Sequence, residues 1–272
     1  MVARGAFVWK VKKYYFCDMF GNSRGGNWPP VTKNLIIINV LLWVVVAFFP
    51  GSVGNVLYKH LGLHYITSGS FNPVQIFTYM FMHDQRSILH LAFNMFSLWM
   101  FGRILENVWG SQRFLFFYIV CGVGAALIQE GFWALTWEHD YISDIAKLNG
   151  MTYESMKEYI DAGLAAGNPQ VTAGMEYYKT ALMTVGASGS IFGLLLGFAF
   201  VFPNMPLYLF FIPVPIRAKY MVIGYAVLEF FFGVGGKLDS VAHFAHLGGM
   251  LFGLILLLYW KKKGTLGGGS FY

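Results

Sequence analysis

Apolar residues in this chain fall into blocks of about 15–20 residues, the length at which an α-helix crosses the hydrocarbon core of a bilayer. A further apolar piece, "LYLFFIPVP" at 207–215, contains prolines, which predict a loop at the membrane interface. The pattern therefore predicts an all-α integral membrane bundle of six helices. The predicted spans are Leu35–Phe49, Ile88–Glu106, Phe114–Leu135, Gly189–Val201, Met221–Val234 and Val241–Trp260.

Composition agrees with this pattern, since 57% of the 272 residues are hydrophobic and only 12% are charged. Soluble domains carry about 25% charged residues, so an ordinary soluble protein is excluded. We expect a cytoplasmic leader at 1–33, one membrane domain at 34–260 and a cytoplasmic tail at 261–272, whose "GGGS" at 267–270 is typical of a flexible end. Polar, glycine-rich sequence follows the basic residues of the leader, so a signal peptide is not predicted.

The distribution of Lys and Arg predicts the orientation of the spans. With both termini inside, 13 basic residues fall on the inner side and 6 on the outer side, which together make the 19 of the chain. This split follows the positive-inside rule, and "WKKK" at 260–263 is typical of a cytoplasmic stop. Spans two, four and six then run inward, and their N-terminal ends share the outer side.

The segment 136–185 is predicted to be an insertion on the outer side. It carries seven acidic and three basic residues. "TYESMKEYIDAGLAA" at 152–166 predicts a short helix that Thr152 caps, with Glu154 near its positive end and "GNPQ" at 167–170 ending it. Its charge pattern favours a solvated outer cap. A role in substrate recognition is the alternative.

Polar side chains open three of the spans, and such groups in a bilayer are costly enough to suggest function. His90 and Asn94 share one helix face at the start of span two, Ser188 precedes span four, and His243 and His246 open span six. Taken singly, each has a structural explanation: helix–helix hydrogen bonding, an N-cap or a buried imidazole. Together they predict a nucleophile, a base and donors at one membrane depth.

Glycines at four-residue spacing predict close packing of spans four and six. Gly189, Gly193 and Gly197 form one stripe, and Gly249 and Gly253 form another. Small-residue stripes let helix backbones approach closely, although they are common in membrane bundles. Because both stripes lead to the polar residues, we expect their contact to bring Ser188 to His246.

Serine is a poor nucleophile unless a base takes its proton, and His246 is the base whose span points it correctly. Glu106 is expected far from the site, at the inner end of span two, while Glu130 and Glu229 are expected to orient loops. These positions predict a Ser–His dyad without a third acid. The backbone N–H of Ser188 and the side chains of His90 and Asn94 are candidate oxyanion donors.

Three motifs carry a resemblance to a known family: "HLAFN" at 90–94, "GASGSIFG" at 186–193 and "AHLGGMLFG" at 245–253. With their order and the six-span layout, the chain resembles the rhomboid intramembrane serine proteases from about residue 32 to residue 260. The resemblance implies a short central fourth span and a Ser–His dyad that cleaves membrane-anchored proteins near the outer face. It implies no metal and no organic cofactor.

Carried over by position, Ser188 is the nucleophile, His246 is the general base and acid, and His90 with Asn94 serves the oxyanion. The packing positions of the motifs are Gly186, Gly189, Phe192, Gly193, Gly249 and Gly253. Many relatives have Tyr where this chain has Phe192, which can stack on the base but cannot donate a hydrogen bond. The Trp–Arg pair of the family's first loop is not visible at 50–87.

Two rival functions are a catalytically inactive rhomboid-like protein that binds membrane clients and a transporter for polar solutes. The first typically lacks the serine or the histidine, and both are present here. The second predicts polar residues through the full membrane depth, whereas the inner halves of the spans are apolar. The expected partners are the lipid bilayer and membrane-anchored substrates, not nucleic acid, and the expected location is a bacterial inner membrane.

Overall fold

The computed structural model describes residues 28–209, 212–235 and 240–266. The leader up to residue 27 and the "GGGS" at 267–270 lie outside the described residues. A helix stands at every predicted span. The principal helices are α1 (Pro30–Phe48), α4 (Ile88–Ser97) with its continuation α5 (Arg103–Trp109), α6 (Ser111–Leu148), α9 (Ser188–Val201), α10 (Ala218–Val234) and α11 (Ser240–Lys262).

Within the described residues, four stretches are long and apolar enough to cross a membrane: Pro30–Phe48, Ile88–Trp109, Ser111–Leu148 and His243–Lys262. Large apolar side chains on the outside of the bundle remain exposed, such as Leu41 of α1 and Phe231 of α10. Such a surface is suited to lipid rather than water. The chain is thus a multi-pass integral membrane protein, and the count of six crossings stays a prediction.

Helix α1 begins at Pro30, ahead of the predicted start of span one, because Glu106 caps it from span two. The Glu106 carboxylate accepts hydrogen bonds from the backbone N–H of Val31 at 3.0 Å and of Thr32 at 2.8 Å. Ser111 Oγ donates to the same carboxylate at 2.7 Å. The negative charge suits the positive end of α1, so this buried acid has a structural role.

The first loop folds into short elements that pack on the bundle. They are a π-turn at Pro50–Gly54, α2 (Asn55–Leu61), β1 (Leu63–His64), α3 (Gln75–Thr78) and a 3₁₀ turn at Tyr79–Phe81. Glu130 of α6 accepts a hydrogen bond from the backbone N–H of Ile66 at 2.8 Å. The expectation that Glu130 orients a loop is therefore confirmed.

The insertion differs from its predicted start, since α6 continues to Leu148 as one helix of 38 residues. Beyond it lie α7 (Tyr153–Ala165) and α8 (Pro169–Ala181). Thr152 caps α7 as predicted, accepting from the N–H of Ser155 at 3.2 Å. A separate cluster of buried side chains joins these helices: Tyr141, Ile142, Ala146, Met156, Ile160 and Val171.

The apolar piece at 207–215 is not an irregular loop, because β3 (Pro206–Leu209) and β4 (Ile212–Arg217) pair as an antiparallel hairpin. Proline is tolerated here since a two-stranded sheet has only edge strands. A second small pair joins β1 to β2 (Met183–Thr184), directly before α9. This pair ties the first loop to the chain that enters α9.

Helix α9 lies at the centre of the bundle and contacts α6, α10 and α11. Most of its residues are buried, including Gly189, Gly193 and Phe198. Its 14 residues span about 21 Å at 1.5 Å per residue, which is less than the ~30 Å hydrocarbon core. The short central helix implied by the sequence resemblance is therefore present.

Candidate active site

Ser188 and His246 meet at the N-terminal ends of α9 and α11. Ser188 Oγ lies 2.8 Å from His246 Nε2, which is hydrogen-bonding distance. Ala187 holds the N-cap position of α9 and Ser188 is its first residue, so the alternative that Ser188 caps the helix is wrong. Its hydroxyl faces an imidazole instead, in the arrangement that general-base activation of a serine requires.

The glycine stripes bring these two residues together, as the sequence predicts. A Cβ at position 249 would collide with the backbone carbonyl of Gly189, and one at position 193 would lie 3.1 Å from the carbonyl oxygen of Gly249. Gly253 lies against Gly193 further along. Backbone contact between α9 and α11 therefore sets the short distance between Ser188 and His246.

Phe192 holds the plane of the His246 ring. The two rings are stacked, with centroids 4.2 Å apart and an interplanar angle of 9°. Phe192 lies one turn after Ser188, so one helix supplies both the hydroxyl and the surface against which the base rests. Stacking is the contact that a phenylalanine at this position can make with the imidazole.

Glu229 does not orient a loop, contrary to the sequence-based expectation. Its Oε2 lies 3.0 Å from His246 Nδ1 and 2.5 Å from His243 Nδ1. Residue 229 lies on α10, seventeen positions before His246, and only tertiary packing brings the two together. Ser188, His246 and Glu229 thus form a continuous hydrogen-bonded row.

A sequence signal for this contact does exist. Tyr225, Glu229 and Gly233 recur every four residues on α10 and so share one face. Tyr225 packs edge-on against Phe192, with ring centroids 6.4 Å apart. A Cβ on Gly233 would lie 2.8 Å from the Phe244 ring, so this face packs against α9 and α11 along its length.

A cavity of about 260 Å³ opens beside Ser188, which is room for several water molecules. Tyr79 also lines the cavity, although no sequence motif indicates it. Its hydroxyl donates to the Gly122 carbonyl at 2.7 Å, which fixes the Tyr79 side chain in the cavity wall. The lining residues are Tyr79, His90, Thr184, Val185, Gly186, Ser188, Gly189, Ala245 and His246.

His90 and Ser188 flank the space above Gly186. The position of a Cβ on Gly186 would lie 3.2 Å from His90 Nε2 and 3.5 Å from Ser188 Oγ. The backbone of Gly186 has a φ of 133°, a conformation that favours glycine. The His90 ring and the first N–H groups of α9 therefore border the space beside Ser188 Oγ.

Asn94 lies one turn deeper and does not line the cavity. It is buried, and its side-chain N–H₂ donates to the His90 carbonyl oxygen at 2.8 Å. The structure therefore brings His90, Ser188 and His246 together directly, whereas Asn94 adjoins them through His90.

The residues that could hold a metal ion in the described part of the chain include Glu229, His243 and His246, whose ligand atoms lie within 4.8 Å of one another. The two N–O separations, 2.5 and 3.0 Å, are those of direct hydrogen bonds. The geometry therefore fits shared protons better than a metal ion between the three groups.

The chain matches the family model described as the Rhomboid domain over residues 70–138 and 152–263, which is well over half of its length. It is also 26% identical over 205 residues to "Rhomboid protein 1, mitochondrial" of Saccharomyces cerevisiae. That alignment covers 75% of this chain and 46% of the yeast protein, so the chain spans less than half of the relative's length. With the motifs of α4, α9 and α11 inside the matched ranges, the chain belongs to the rhomboid family.

Proposed function

We propose that this protein is an intramembrane serine endopeptidase that cleaves membrane-anchored proteins near the outer face of the membrane. Membership of the rhomboid family supports an intramembrane protease function. The observation that carries the finer proposal is the 2.8 Å contact between Ser188 Oγ and His246 Nε2, next to a cavity that can admit water.

The proposed reaction follows from this contact. His246 Nε2 takes the proton as Ser188 Oγ attacks the carbonyl carbon of the scissile bond, giving a tetrahedral oxyanion. His246 then gives that proton to the leaving amine nitrogen as the C–N bond breaks, and the acyl group stays on Oγ. Water attacks this ester, and His246 again takes and returns one proton, which regenerates the serine.

The oxyanion would be held by groups that are already in place. The backbone N–H of Ser188 lies in the first turn of α9, where N–H groups have no partner inside the helix. The His90 side chain lies across the same space. Asn94 would act beside His90, through its hydrogen bond to the His90 carbonyl.

The transporter alternative receives no support from the buried acids. Glu106 is engaged by two backbone N–H groups, Thr32 Oγ1 and Ser111 Oγ, and so it caps α1. Glu130 holds the first loop. Both carboxylates thus have partners that explain their presence without a polar pathway.

The test is labelling of the purified protein with a fluorophosphonate probe, together with cleavage of a membrane-anchored reporter. Wild type is expected to be labelled and active, and Ser188→Ala and His246→Ala are expected to lose both. Ser190→Ala is the matched control, because Ser190 lies on the same helix but its hydroxyl donates to the Tyr118 carbonyl at 2.9 Å. Substantial labelling or cleavage by Ser188→Ala would overturn the proposal.

A further inference from the structure

Glu229 is a half-buried acid with no role in a Ser–His dyad. The hydrocarbon interior penalises a carboxylate strongly unless its oxygens are hydrogen-bonded. The Glu229 side chain is only 13% exposed, and its Oε2 receives both His243 and His246. The packed face of α10 brings it to the site, alongside Tyr225 and Gly233. Such a costly group in this position needs an explanation.

The hydrogen bonds at His246 fix which ring nitrogen carries the proton. To accept the hydroxyl proton of Ser188, His246 Nε2 must be unprotonated, so the neutral ring carries its hydrogen on Nδ1. That Nδ1–H points at Glu229 Oε2, 3.0 Å away. The carboxylate is an acceptor only, so it selects the tautomer that leaves Nε2 free for the serine.

His243 restrains the acid in turn. Its Nδ1 lies 2.5 Å from the same oxygen, and its ring stands perpendicular to that of His246. Two donors on one carboxylate oxygen fix the Glu229 side chain more tightly than one would. Phe192 then fixes the plane of the His246 ring from the other direction.

We propose that Glu229 is a positioning residue for His246, so that this site works as a Ser188–His246–Glu229 row rather than as a two-residue dyad. The proposal rests on the function proposed above. When Ser188 gives its proton to Nε2, His246 becomes an imidazolium with hydrogens on both nitrogens. The negative charge of Glu229 stabilises that cation in the transition state, and no proton needs to reach the carboxylate.

The test measures cleavage kinetics of the full-length protein with Glu229→Gln, Glu229→Asp and Glu229→Ala. Rates are expressed per serine that the fluorophosphonate probe titrates at completion, so that only folded sites are counted. Glu229→Gln is expected to lower kcat by about 10²-fold with little change in KM, and Glu229→Ala by more. Loss of the analogous carboxylate charge in a soluble triad lowers kcat by about 10⁴-fold.

Comparing kcat of Glu229→Asp with kcat of Glu229→Gln separates the effect of the carboxylate charge from that of the side-chain shape. Glu229→Asp keeps the charge and loses a methylene, whereas Glu229→Gln keeps the shape and loses the charge. If Glu229 positions and stabilises the base, the Asp variant retains more kcat than the Gln variant. A purely structural residue would give the reverse order, and that order would overturn the proposal.

Glu130→Gln is the matched control, since it changes a buried glutamate elsewhere in the bundle that accepts a hydrogen bond from the backbone N–H of Ile66. It is expected to lower the melting temperature while leaving kcat per titrated site unchanged. Wild-type kcat in Glu229→Gln, with Ser188 still essential, would overturn this inference alone. Activity in Ser188→Ala would overturn the proposed function instead. A third outcome would also overturn the inference: a chelator inactivates the wild-type protein but does not change the activity of Glu229→Gln. Glu229, His243 and His246 would then hold a metal ion.

Discussion

Phe192 and His246 stack face to face with ring centroids 4.2 Å apart, and Phe192 lies on α9 one turn after Ser188. Phe192 covers one face of the imidazole with an apolar ring. Both ring nitrogens of His246 remain available for hydrogen bonds to Ser188 and Glu229. A stacked ring limits rotation of the imidazole about its Cβ–Cγ bond. Phe192 therefore acts on the geometry of the base and not on its proton.

Phe192→Ala is expected to lower kcat, because His246 loses a ring contact that contributes about 0.5–1.5 kcal/mol. Such a loss corresponds to roughly a 2- to 12-fold slower rate. Phe192→Tyr keeps the stacking and is expected to stay within about twofold of wild type. The measurement is kcat per titrated serine. An Ala variant as fast as the Tyr variant would contradict this view of the contact.

Gly249→Ala is expected to inactivate the protein by separating α9 from α11. The added methyl would collide with the Gly189 carbonyl, and relief of such overpacking costs about 1–3 kcal/mol. The helices would then move apart and lengthen the Ser188–His246 hydrogen bond. The control is Gly131→Ala in α6, where an added Cβ meets no atom within 4 Å. Melting temperature and probe labelling are measured for both, and unchanged labelling of Gly249→Ala would refute the expectation.

Much of this architecture could be predicted because the length and apolar composition of a segment identify it as a membrane helix. The Ser188–His246 contact could also be predicted, since glycine stripes and polar residues occur on the same helix faces. Glu229 could not be placed, because its partner depends on the rotation of α10 about its axis. The four-residue spacing of Tyr225, Glu229 and Gly233 marks one face of α10, but packing of Tyr225 on Phe192 and of Gly233 on Phe244 decides which helices that face meets.

Two other differences have a similar cause. Helix α6 runs on to Leu148 because its polar end packs against α7 and α8, burying Ile142 and Ala146. Composition marks the exit from the membrane, but it does not mark the end of the helix. The prolines at 207–215 predicted a loop in place of the β3–β4 hairpin. Proline is nevertheless compatible with a strand that has no neighbour on one side.

Gly186→Ala is expected to abolish cleavage. Its φ of 133° disfavours any side chain, and the added methyl would lie 3.2 Å from His90 in the space assigned to the oxyanion. Gly110→Ala separates the two effects, because Gly110 also has a positive φ, 78°, but an added Cβ there meets nothing within 4 Å. Both variants should lose about 1–2 kcal/mol of stability, and only Gly186→Ala should lose kcat. Equal loss of kcat in both would point to folding alone.

His90→Ala is expected to reduce kcat more than Asn94→Ala does. His90 lines the cavity, whereas the Asn94 amide donates to the His90 carbonyl from one turn deeper. Removal of a direct oxyanion donor typically lowers kcat by about 10²–10³-fold. Asn94→Ala should lower kcat without abolishing it, and KM should change little in either variant. The order is checked by steady-state kinetics on the same reporter, and a larger effect at Asn94 would reverse the assignment.

His83 is expected to make the stability of the protein depend on pH. It lies in the loop between the 3₁₀ turn and α4, is 1% exposed, and its ring centroid is 5.2 Å from that of His90. Burial, with a further contribution from His90, lowers the pKa of His83 to about 3 from an ordinary value of 6.5. Once the pH falls below 6.5, His83 therefore takes up a proton in the unfolded chain but stays neutral in the folded chain.

Stability should thus be fully present above pH 6.5 and fall by up to about 1.4 kcal/mol per pH unit between 6.5 and 3. Melting temperatures measured at pH 7 and pH 5 should differ more for wild type than for His83→Gln, which cannot take up the proton. His139→Gln, at an exposed histidine of α6, should retain the wild-type difference. An equal pH effect in wild type and His83→Gln would show that another group sets the acid limit of stability.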